Sequence, residues 1–429
     1  MQRLILIFLL MIGSQAALAE LRVEIISGSE GALPIAVIPF SWDSAAPGPI
    51  TTTDSLISAD LYRSGQFLPL DEDEMAQKPV DEENIRFGMW RILKTDYIVI
   101  GRVKDTAEGG YDLIYQLFDV NTTERLLSRV LTVGPGDLRY GAHRVADDIY
   151  ERLTGVPGAF ATRIAYITAT GVGDDQLYEL VVSDADGYGP QSIVGSPEPL
   201  LSPNWSPDGK KLAYVSFEKG NSAIYIQDVT SGSRQLLASH KGINGAPAFS
   251  PDGRKLALAL SRSGNLEIYV LDLATNKYTQ LTRHWAIDTE PAWSPDGSEI
   301  YFTSDRAGQP QIYSIPSTGG NVKRITFEGE NNARVSVSPD GRNLAMAHGD
   351  GNRYRIAVLE KKTNRLVVLS RGLLDESPSF APNGSMILYA TKDGEKGVLA
   401  AVSVDGNVRQ RLVLSGGDVR EPAWSPVIR

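Results

Sequence analysis

Short hydrophobic runs rich in β-forming residues alternate with polar turn residues from about residue 160 to the end of the chain. In one copy, these runs extend from Lys211 to Ser216, from Ala223 to Val229 and from Arg234 to Ala238. Runs of this length between turn residues are typical of β-strands joined by tight turns. This part of the chain is therefore predicted to be all-β.

A turn motif recurs in this region at steps of 44, 44, 44, 43 and 44 residues. Its copies, four Ser-Pro-Asp-Gly turns and two related ones, begin at Ser206, Ser250, Ser294, Ser338, Ala381 and Ser425. A fixed period of this size indicates a repeat fold, and strand-rich units favour propeller blades over helical solenoids. Proline at the second turn position and glycine at the fourth suit a tight turn, which favours a structural role over an ion or sugar site.

The innermost strand of each blade is indicated by an aromatic residue just before the turn. The aromatic residues, each two positions after a proline, are Trp205, Phe249, Trp293, Phe380 and Trp424. Between Arg163 and Val194 three strand-like runs occur without an inner strand, and the C-terminal run Glu421 to Ser425 supplies it. We predict six four-stranded blades closed by the C-terminal strand, an arrangement that protects the sheet edge.

Residues 20–156 lack the repeat and combine strand and helix patterns. Strand candidates are Leu21 to Ile26, Ile35 to Phe40, Tyr97 to Val103, Tyr111 to Asp119 and Leu126 to Val133. Helical spacing marks Asp54 to Ser64, Glu83 to Leu93 and Leu138 to Leu153. For the last helix, Asp137 is the predicted N-cap and Gly155 the predicted end. The predicted fold is two-domain, with an N-terminal mixed α/β domain (residues 20–156) and an all-β six-bladed β-propeller (residues 157–429).

The start of the chain has the pattern of a secretory signal peptide. Arg3 precedes the apolar stretch Leu4 to Ile12, and Ala17 to Ala19 form a small-residue cleavage pattern, so residues 1–19 are the predicted signal peptide. The apolar stretch is too short to span a bilayer comfortably. The chain has no cysteine, which excludes disulfides and a lipid-modified N-terminal cysteine. We expect an exported monomer that does not insert into the membrane.

Charge and motif content argue against several functions. With 42 basic and 52 acidic residues the net charge is −10, and phosphate binding relies on clustered cations, so nucleic acid is a poor candidate partner. The sequence contains no Gly-x-Ser-x-Gly nucleophile elbow. The four histidines, His143, His240, His284 and His348, lack metal-ligand spacing. We predict no catalytic site, no metal and no cofactor.

Surface recognition at one mouth of the propeller is the remaining hypothesis. The loops that enter the inner strands lie about 44 residues apart in sequence but converge around the channel. Their charged residues include Asp288, Glu290, Arg334, Asp375, Glu376, Arg420 and Glu421. A rigid polar rim around a shallow funnel suits a loop or helix end of a protein partner.

Several stretches spread over nearly the whole chain resemble the TolB family of the Tol-Pal system. They are Ile35 to Trp42, Lys210 to Val215, Asn244 to Ser250, Leu374 to Pro378 and Pro422 to Pro426. The resemblance implies a periplasmic, non-enzymatic adaptor in a Gram-negative bacterium. It also implies binding to the lipoprotein Pal, to the inner-membrane protein TolA and to other envelope proteins, in support of outer-membrane integrity and cell division.

The resemblance implies a binding site for each partner. For Pal it indicates the mouth at Ala246, Thr289 and Glu290. With the neighbouring mouth positions, the predicted Pal site is Asn244, Ala246, Asp288, Thr289, Glu290, Arg334, Asp375, Glu376, Arg420 and Glu421. For TolA it implies the mature N-terminus, Glu20, Leu21, Arg22, Val23, Glu24 and Ile25. There, apolar residues alternate with charged ones, a pattern that suits strand addition to a partner sheet.

Two other functions fit parts of the sequence. A periplasmic glycan-binding or glycan-processing propeller would need a funnel lined by exposed aromatic side chains together with a carboxylate pair. A peptidase accessory domain would act with a separate catalytic chain. We expect the adaptor function, and the side chains that line the funnel are the feature that separates it from the glycan hypothesis.

Overall fold

The computed structural model describes residues 21–27, 31–45, 47–414 and 417–427. The predicted signal peptide, residues 1–19, and Glu20 lie outside these ranges. The described residues form an α/β domain and a propeller, so the predicted two-domain fold is confirmed. Among the helices of these residues, we find none whose length and apolar character would allow it to cross a membrane.

The α/β domain is a mixed sheet with helices on both faces. The first strand of the described residues, β1 (Leu21–Ser27), pairs outside this domain. The other strands are β2 (Leu33–Val37), β3 (Ser41–Asp43), β4 (Phe67–Pro69), β5 (Tyr97–Asp105), β6 (Tyr111–Asp119) and β7 (Arg125–Val133). Their order is β4-β2-β5-β6-β7, with β3 beside β5. The helices are α1 (Thr53–Arg63), α2 (Phe87–Ile92) and α3 (Leu138–Thr154), with short 3-10 turns at Glu72–Glu74 and Glu82–Asn84.

Helices α1 and α3 pack on one face of this sheet, where Ile57, Val145 and Ile149 are fully buried, in a cluster separate from that of α2. The predicted apolar stripe of α3 is confirmed, and Gly155 ends the helix with a φ of 74°. Asp137 occupies the N-cap position as predicted, and its carbonyl accepts from the Gly141 amide at 2.8 Å, but its side chain makes no capping hydrogen bond within the described structure. Its backbone (φ −106°, ψ 14°) lacks the extended conformation typical of N-cap residues.

The predicted helix Glu83 to Leu93 is shorter in the structure. A 3-10 turn over Glu82–Asn84 precedes Ile85, whose backbone is extended at ψ 115°, and α2 begins only at Phe87. The side chain of Ile85 is buried in the same apolar cluster as Trp90. The apolar spacing therefore reflects a shared core and not one continuous helix.

The propeller consists of six antiparallel blades. The first three contain β8 (Arg163–Thr170), β9 (Leu177–Asp184) and β10 (Gln191–Ser196); β11 (Leu200–Trp205), β12 (Lys211–Ser216), β13 (Ala223–Asp228) and β14 (Arg234–Ala238); and β15 (Asn244–Phe249), β16 (Lys255–Leu260), β17 (Glu267–Asp272) and β18 (Lys277–Gln280). The next two contain β19 (Asp288–Trp293), β20 (Glu299–Ser304), β21 (Gln311–Pro316) and β22 (Lys323–Arg324); and β23 (Asn331–Val337), β24 (Asn343–Asp350), β25 (Arg353–Glu360) and β26 (Arg365–Val368). The sixth contains β27 (Glu376–Phe380), β28 (Met386–Asp393), β29 (Lys396–Ser403) and β30 (Arg409–Leu414).

The last strand, β31 (Asp418–Trp424), completes the first blade. It pairs antiparallel with β8, so that Val419 lies opposite Thr168 and Trp424 opposite Ile164. The predicted closure by the C-terminal strand is confirmed. In the sixth blade, β1 adds a fifth strand next to β30, at the edge farthest from the inner strand β27. The sequence did not predict this pairing.

The repeated turn and the aromatic residue before it have structural roles. In the first copy, Gly209 has a φ of 68° and the Ser206 hydroxyl donates to Asp208 at 2.5 Å. The indole nitrogen of Trp205 donates to the carbonyl of Ala423 at 3.0 Å, which joins the inner strands of adjacent blades. The turn and the aromatic residue thus set the shape of each blade and its contact with the next.

Candidate functional site

Each inner strand of the propeller carries a β-bulge at the same place. One residue in each bulge has a left-handed backbone, with φ between 47° and 55°. These residues, which we call the bulge ring, are Ser202, Ala246, Glu290, Arg334, Ser377 and Glu421. The pairing register shifts at each of them. Together they line a cavity of about 330 Å³ in the channel.

The bulge ring departs from ordinary backbone preferences. Five of its six members precede a proline, a position that is normally extended. A left-handed conformation costs a residue with a side chain about 1–2 kcal/mol. Such strain persists where the surrounding structure fixes it, and it is frequent at functional sites. The repeated bulge therefore makes the channel mouth a candidate site on geometric grounds alone.

Arg334 is the centre of the charged contacts in the bulge ring. Its Nε lies 3.0 Å from a carboxylate oxygen of Glu290, and its Nη1 lies 2.7 Å from one of Glu421. Nη1 also donates to the hydroxyl of Ser377. Burial in the channel would lower the pKa of Arg334, but the carboxylates of Glu421 and Glu290 raise it above its ordinary value. Two carboxylates thus share one permanently charged guanidinium.

The same carboxylates connect neighbouring blades. The main-chain amide of Ser202 on β11 donates to Glu421 on β31 at 3.2 Å. The amide of Arg334 on β23 donates to Glu290 on β19 at 3.0 Å. The charge of the bulge ring and the contacts between inner strands therefore depend on the same side chains.

Three of the predicted site residues, Asn244, Asp288 and Asp375, are fully buried. The amide group of Asn244 donates to main-chain carbonyls of its own loop. Both carboxylate oxygens of Asp288 accept from Arg306, at 2.7 and 2.8 Å, and Asp375 accepts from the Gly372 amide at 3.0 Å. These side chains hold the mouth loops in their conformation. They would therefore affect partner binding indirectly, through the conformation of the loops.

Of the remaining predicted residues, Glu421 is also buried and the others are partly exposed at the mouth. Ala246, Thr289 and Glu376 are half-buried. Nη2 of Arg420 lies 3.4 Å from Oδ2 of Asp418, two positions earlier on β31. The structure therefore brings four of the predicted residues together in the bulge ring, namely Ala246, Glu290, Arg334 and Glu421.

Sequence reasoning missed an apolar surface on the same loops. Trp285, Leu373 and Phe327 are 78%, 69% and 64% exposed. With three further exposed apolar residues they form what we call the apolar rim: Ile243, Trp285, Ile287, Phe327, Leu373 and Leu374. Each precedes a bulge-ring residue by three to seven positions, and this repeated placement of an apolar side chain was the available signal.

The predicted N-terminal site is a strand attached to the propeller. In β1, Val23 lies opposite Leu412 and Glu24 opposite Arg411 of β30. Val23 is partly buried against the apolar cluster that contains Leu412, whereas Glu24 is exposed. One backbone edge of the segment therefore pairs with the protein's own sheet.

Two family models match the chain in the order that the structure shows. The TolB amino-terminal domain matches residues 21–126, and the TolB beta propeller domain matches residues 150–428. A relative from Xanthomonas campestris pv. campestris (strain B100), named Tol-Pal system protein TolB, is 58% identical over 408 residues, which cover 95% of this chain and 93% of the relative. The chain belongs to the TolB family.

Further TolB proteins support this assignment. A relative from Xanthomonas oryzae pv. oryzae (strain KACC10331 / KXO85), named Tol-Pal system protein TolB, is 57% identical over 422 residues, covering 98% of this chain and 96% of the relative. The crystal structure of TolB from Acinetobacter baumannii has a TM-score of 0.87 and 40% identity, covering 95% of this chain and 100% of that chain. As a TolB-family member, the protein is a component of the Tol-Pal system.

Proposed function

We propose that this TolB-family protein is a periplasmic, non-enzymatic adaptor that connects TolA to the outer-membrane lipoprotein Pal. In this function it supports outer-membrane integrity and cell division. Family membership and the predicted signal peptide support the periplasmic location. The apolar rim around the bulge ring is the observation that carries the Pal part of the proposal.

The apolar rim and the bulge ring supply different parts of a binding site. Burying a large apolar side chain contributes about 1.5–3 kcal/mol, so a partner that covers Trp285, Phe327 and Leu373 gains affinity mainly from the rim. The bulge ring carries two carboxylates and one guanidinium, which favours a partner segment with a positive or hydrogen-bond-donating tip. A protein loop meets both requirements.

Replacing Trp285 or Phe327 with alanine is expected to weaken Pal binding about tenfold to thirtyfold. Large aromatic side chains buried at the centre of an interface commonly contribute about 2 kcal/mol each. The measurement is isothermal titration calorimetry of each variant with purified Pal that lacks its lipid.

Matched controls for this experiment remove exposed aliphatic side chains elsewhere. Leu236 on β14 is 44% exposed and Ile92 on α2 is 81% exposed, and both lie outside the mouth loops. The variants Leu236→Ala and Ile92→Ala are expected to bind Pal as the parent protein does. If the two rim variants bind Pal equally well, the mouth is not the Pal site.

The proposed TolA site requires β1 to leave β30. One backbone edge of β1 is paired with β30, and Val23 is packed against the propeller. A TolA strand that uses this edge and this apolar face competes with the protein's own sheet, because neither can be paired twice. The two states of β1 therefore differ in their affinity for TolA, and the partner shifts the population between them.

A disulfide between β1 and β30 is expected to reduce TolA binding at least about tenfold, because it keeps β1 paired with β30 and so unavailable to TolA. The change is Glu24→Cys with Arg411→Cys, at positions directly opposite each other in the antiparallel pair, which brings the Cα atoms within disulfide range. Binding is measured with purified TolA before and after reduction. The chain has no other cysteine. Each single-cysteine variant should be insensitive to reduction, and equal affinity of the oxidised and reduced pair would contradict release of β1.

The glycan hypothesis finds one supporting feature, the exposed aromatic side chains of Trp285 and Phe327. Its carboxylate pair would be Glu290 and Glu421, and both are bound to Arg334. Because the same guanidinium holds both carboxylates, neither is free to protonate a glycosidic oxygen. The adaptor function is therefore the better supported of the two.

A further inference from the structure

A buried cluster of charged side chains joins the α/β domain to the first blade. His143 on α3 lies at its centre, with a side chain that is 3% exposed. Its Nδ1 is 2.6 Å from an oxygen of Asp60 on α1, and its Nε2 is 3.9 Å from an oxygen of Asp186 in the turn between β9 and β10. Nε2 has no hydrogen-bond partner within the part of the chain that the structure describes. His143 thus lies between one carboxylate of each domain.

The charges in direct contact around His143 balance only when the imidazole is protonated. The charged groups facing it are Asp60 and Arg63 on α1, Arg139 and Asp147 on α3, Asp184 at the end of β9 and Asp186 in the turn that follows. The guanidinium of Arg63 is 2.6 Å from the Asp60 carboxylate, and that of Arg139 contacts the carboxylates of both Asp184 and Asp186. Three ion-paired carboxylates therefore share two guanidinium groups, and a buried charge without a partner is costly.

Asp147 is held apart from this set of ion pairs. Its carboxylate accepts hydrogen bonds from the main-chain amides of Phe160 at 2.7 Å and Ala161 at 3.3 Å, in the segment that links the domains. Burial raises the pKa of Asp147 to about 6. Any pH effect at this interface must therefore be assigned to His143 or Asp147 by experiment.

We propose that protonation of His143 latches the α/β domain to the propeller, and that loss of this proton frees the two domains to move. In the protonated state, Nδ1–H donates to Asp60 and Nε2–H faces Asp186. When the Nε2 proton leaves to solvent, the nitrogen lone pair faces the Asp186 carboxylate instead. The contact between domains then changes from attractive to repulsive at this point.

The direction of the His143 titration agrees with this geometry. Burial lowers the pKa of His143, but the carboxylates of Asp60 and Asp186 raise it by more than burial lowers it. The pKa therefore lies above the ordinary value of about 6.5. Because the pKa is higher in the folded protein, the latch stabilises fully below about pH 6.5. This stabilisation is lost as the pH rises through the folded-state value. Burial lowers the pKa of His240 and His348, so protonation of these two side chains has the opposite effect on stability.

Nuclear magnetic resonance of the full chain with ¹³C-labelled histidine tests the first step. The chain has four histidines, and single glutamine substitutions assign their signals. We expect the pKa of His143 to lie above about 6.5 and to fall by about one pH unit in Asp186→Asn. Every sample contains a metal chelator, so that no metal ion takes the place of the proton on His143. A His143 pKa at or below this ordinary value, or one that Asp186→Asn leaves unchanged, would overturn the latch.

Distances between spin labels test the second step. Because the chain has no cysteine, labels attach only at Ile92→Cys in the α/β domain and Val172→Cys in the propeller, both highly exposed. About one pH unit below the measured pKa we expect a narrow distance distribution, and one unit above it a broad one. The His143→Gln variant should give a broad distance distribution at both pH values. The His348→Gln and Asp147→Asn variants should respond to pH as the parent protein does. The same distribution at both pH values in the parent, or a response abolished by Asp147→Asn, would overturn the proposal.

Discussion

Replacing Arg334 with methionine is expected to lower the free energy of unfolding by about 3 kcal/mol, the lower end of the range for breaking a buried ion pair. The change leaves the carboxylates of Glu290 and Glu421 without their shared cation. The side chain of Glu421 is 7% exposed and that of Glu290 26%, so water in the channel replaces the guanidinium only in part. Urea denaturation followed by circular dichroism measures the loss.

The control for this variant removes the negative charge that Arg334 neutralises. Adding Glu421→Gln to Arg334→Met is expected to recover most of the lost stability, since a neutral amide needs no cation. Equal stability of Arg334→Met and the parent at neutral pH would show that the ion pairs contribute nothing net.

The blades could be predicted from the sequence because their determinants are local and repeated. The turn that begins at Ser206 returns every 43 or 44 residues, and each copy specifies the same strand ends. Strand β31 was predictable for a related reason, since Trp424 and the preceding proline mark it as an inner strand without neighbours of its own. Periodicity thus predicted both the number of blades and the closure.

The bulge ring was not predictable from these patterns. A residue before proline prefers an extended backbone, so nothing in the sequence indicates a left-handed conformation at Glu290 or Glu421. Their left-handed conformation arises from the packing of six strands around one channel, which is a tertiary effect. The choice of Ala246, Glu290, Arg334 and Glu421 as site residues nevertheless included four members of the ring, because loops that enter inner strands must meet at the mouth.

Contacts between distant segments account for the other omissions. The strand character of β1 was predicted, but an alternating pattern does not identify its partner, and β30 lies almost 400 residues later. His143 and Asp60 are 83 positions apart on two helices whose apolar faces were recognised separately. A polar residue at the start of a strand is also ambiguous, since Asn244 and Asp288 proved to be fully buried. In each case the decisive information is the tertiary contact.

Removing residues 421–429 is expected to abolish the cooperative unfolding transition of the propeller. The deletion takes most of the inner strand from the first blade, together with its pairing to β8. It also removes the Ala423 carbonyl that accepts from Trp205 and the Trp424 main-chain amide that donates to the Ser379 hydroxyl at 2.9 Å. The ring would be left with open strand edges on both sides of the gap, and such edges promote aggregation. Scanning calorimetry and size-exclusion chromatography are the measurements.

The size of this effect follows from where β31 lies. A domain is stable by only about 5–15 kcal/mol, and the deletion removes backbone pairing, two inter-blade hydrogen bonds and the Glu421 carboxylate that holds Arg334. Shortening the chain by residues 428–429 alone removes none of these contacts, so this control is expected to melt with the parent. A truncated protein with the parent's calorimetric transition would mean that the remaining blades are stable without closure. Because Glu421 also belongs to the bulge ring, the strand that closes the propeller also builds the candidate binding site.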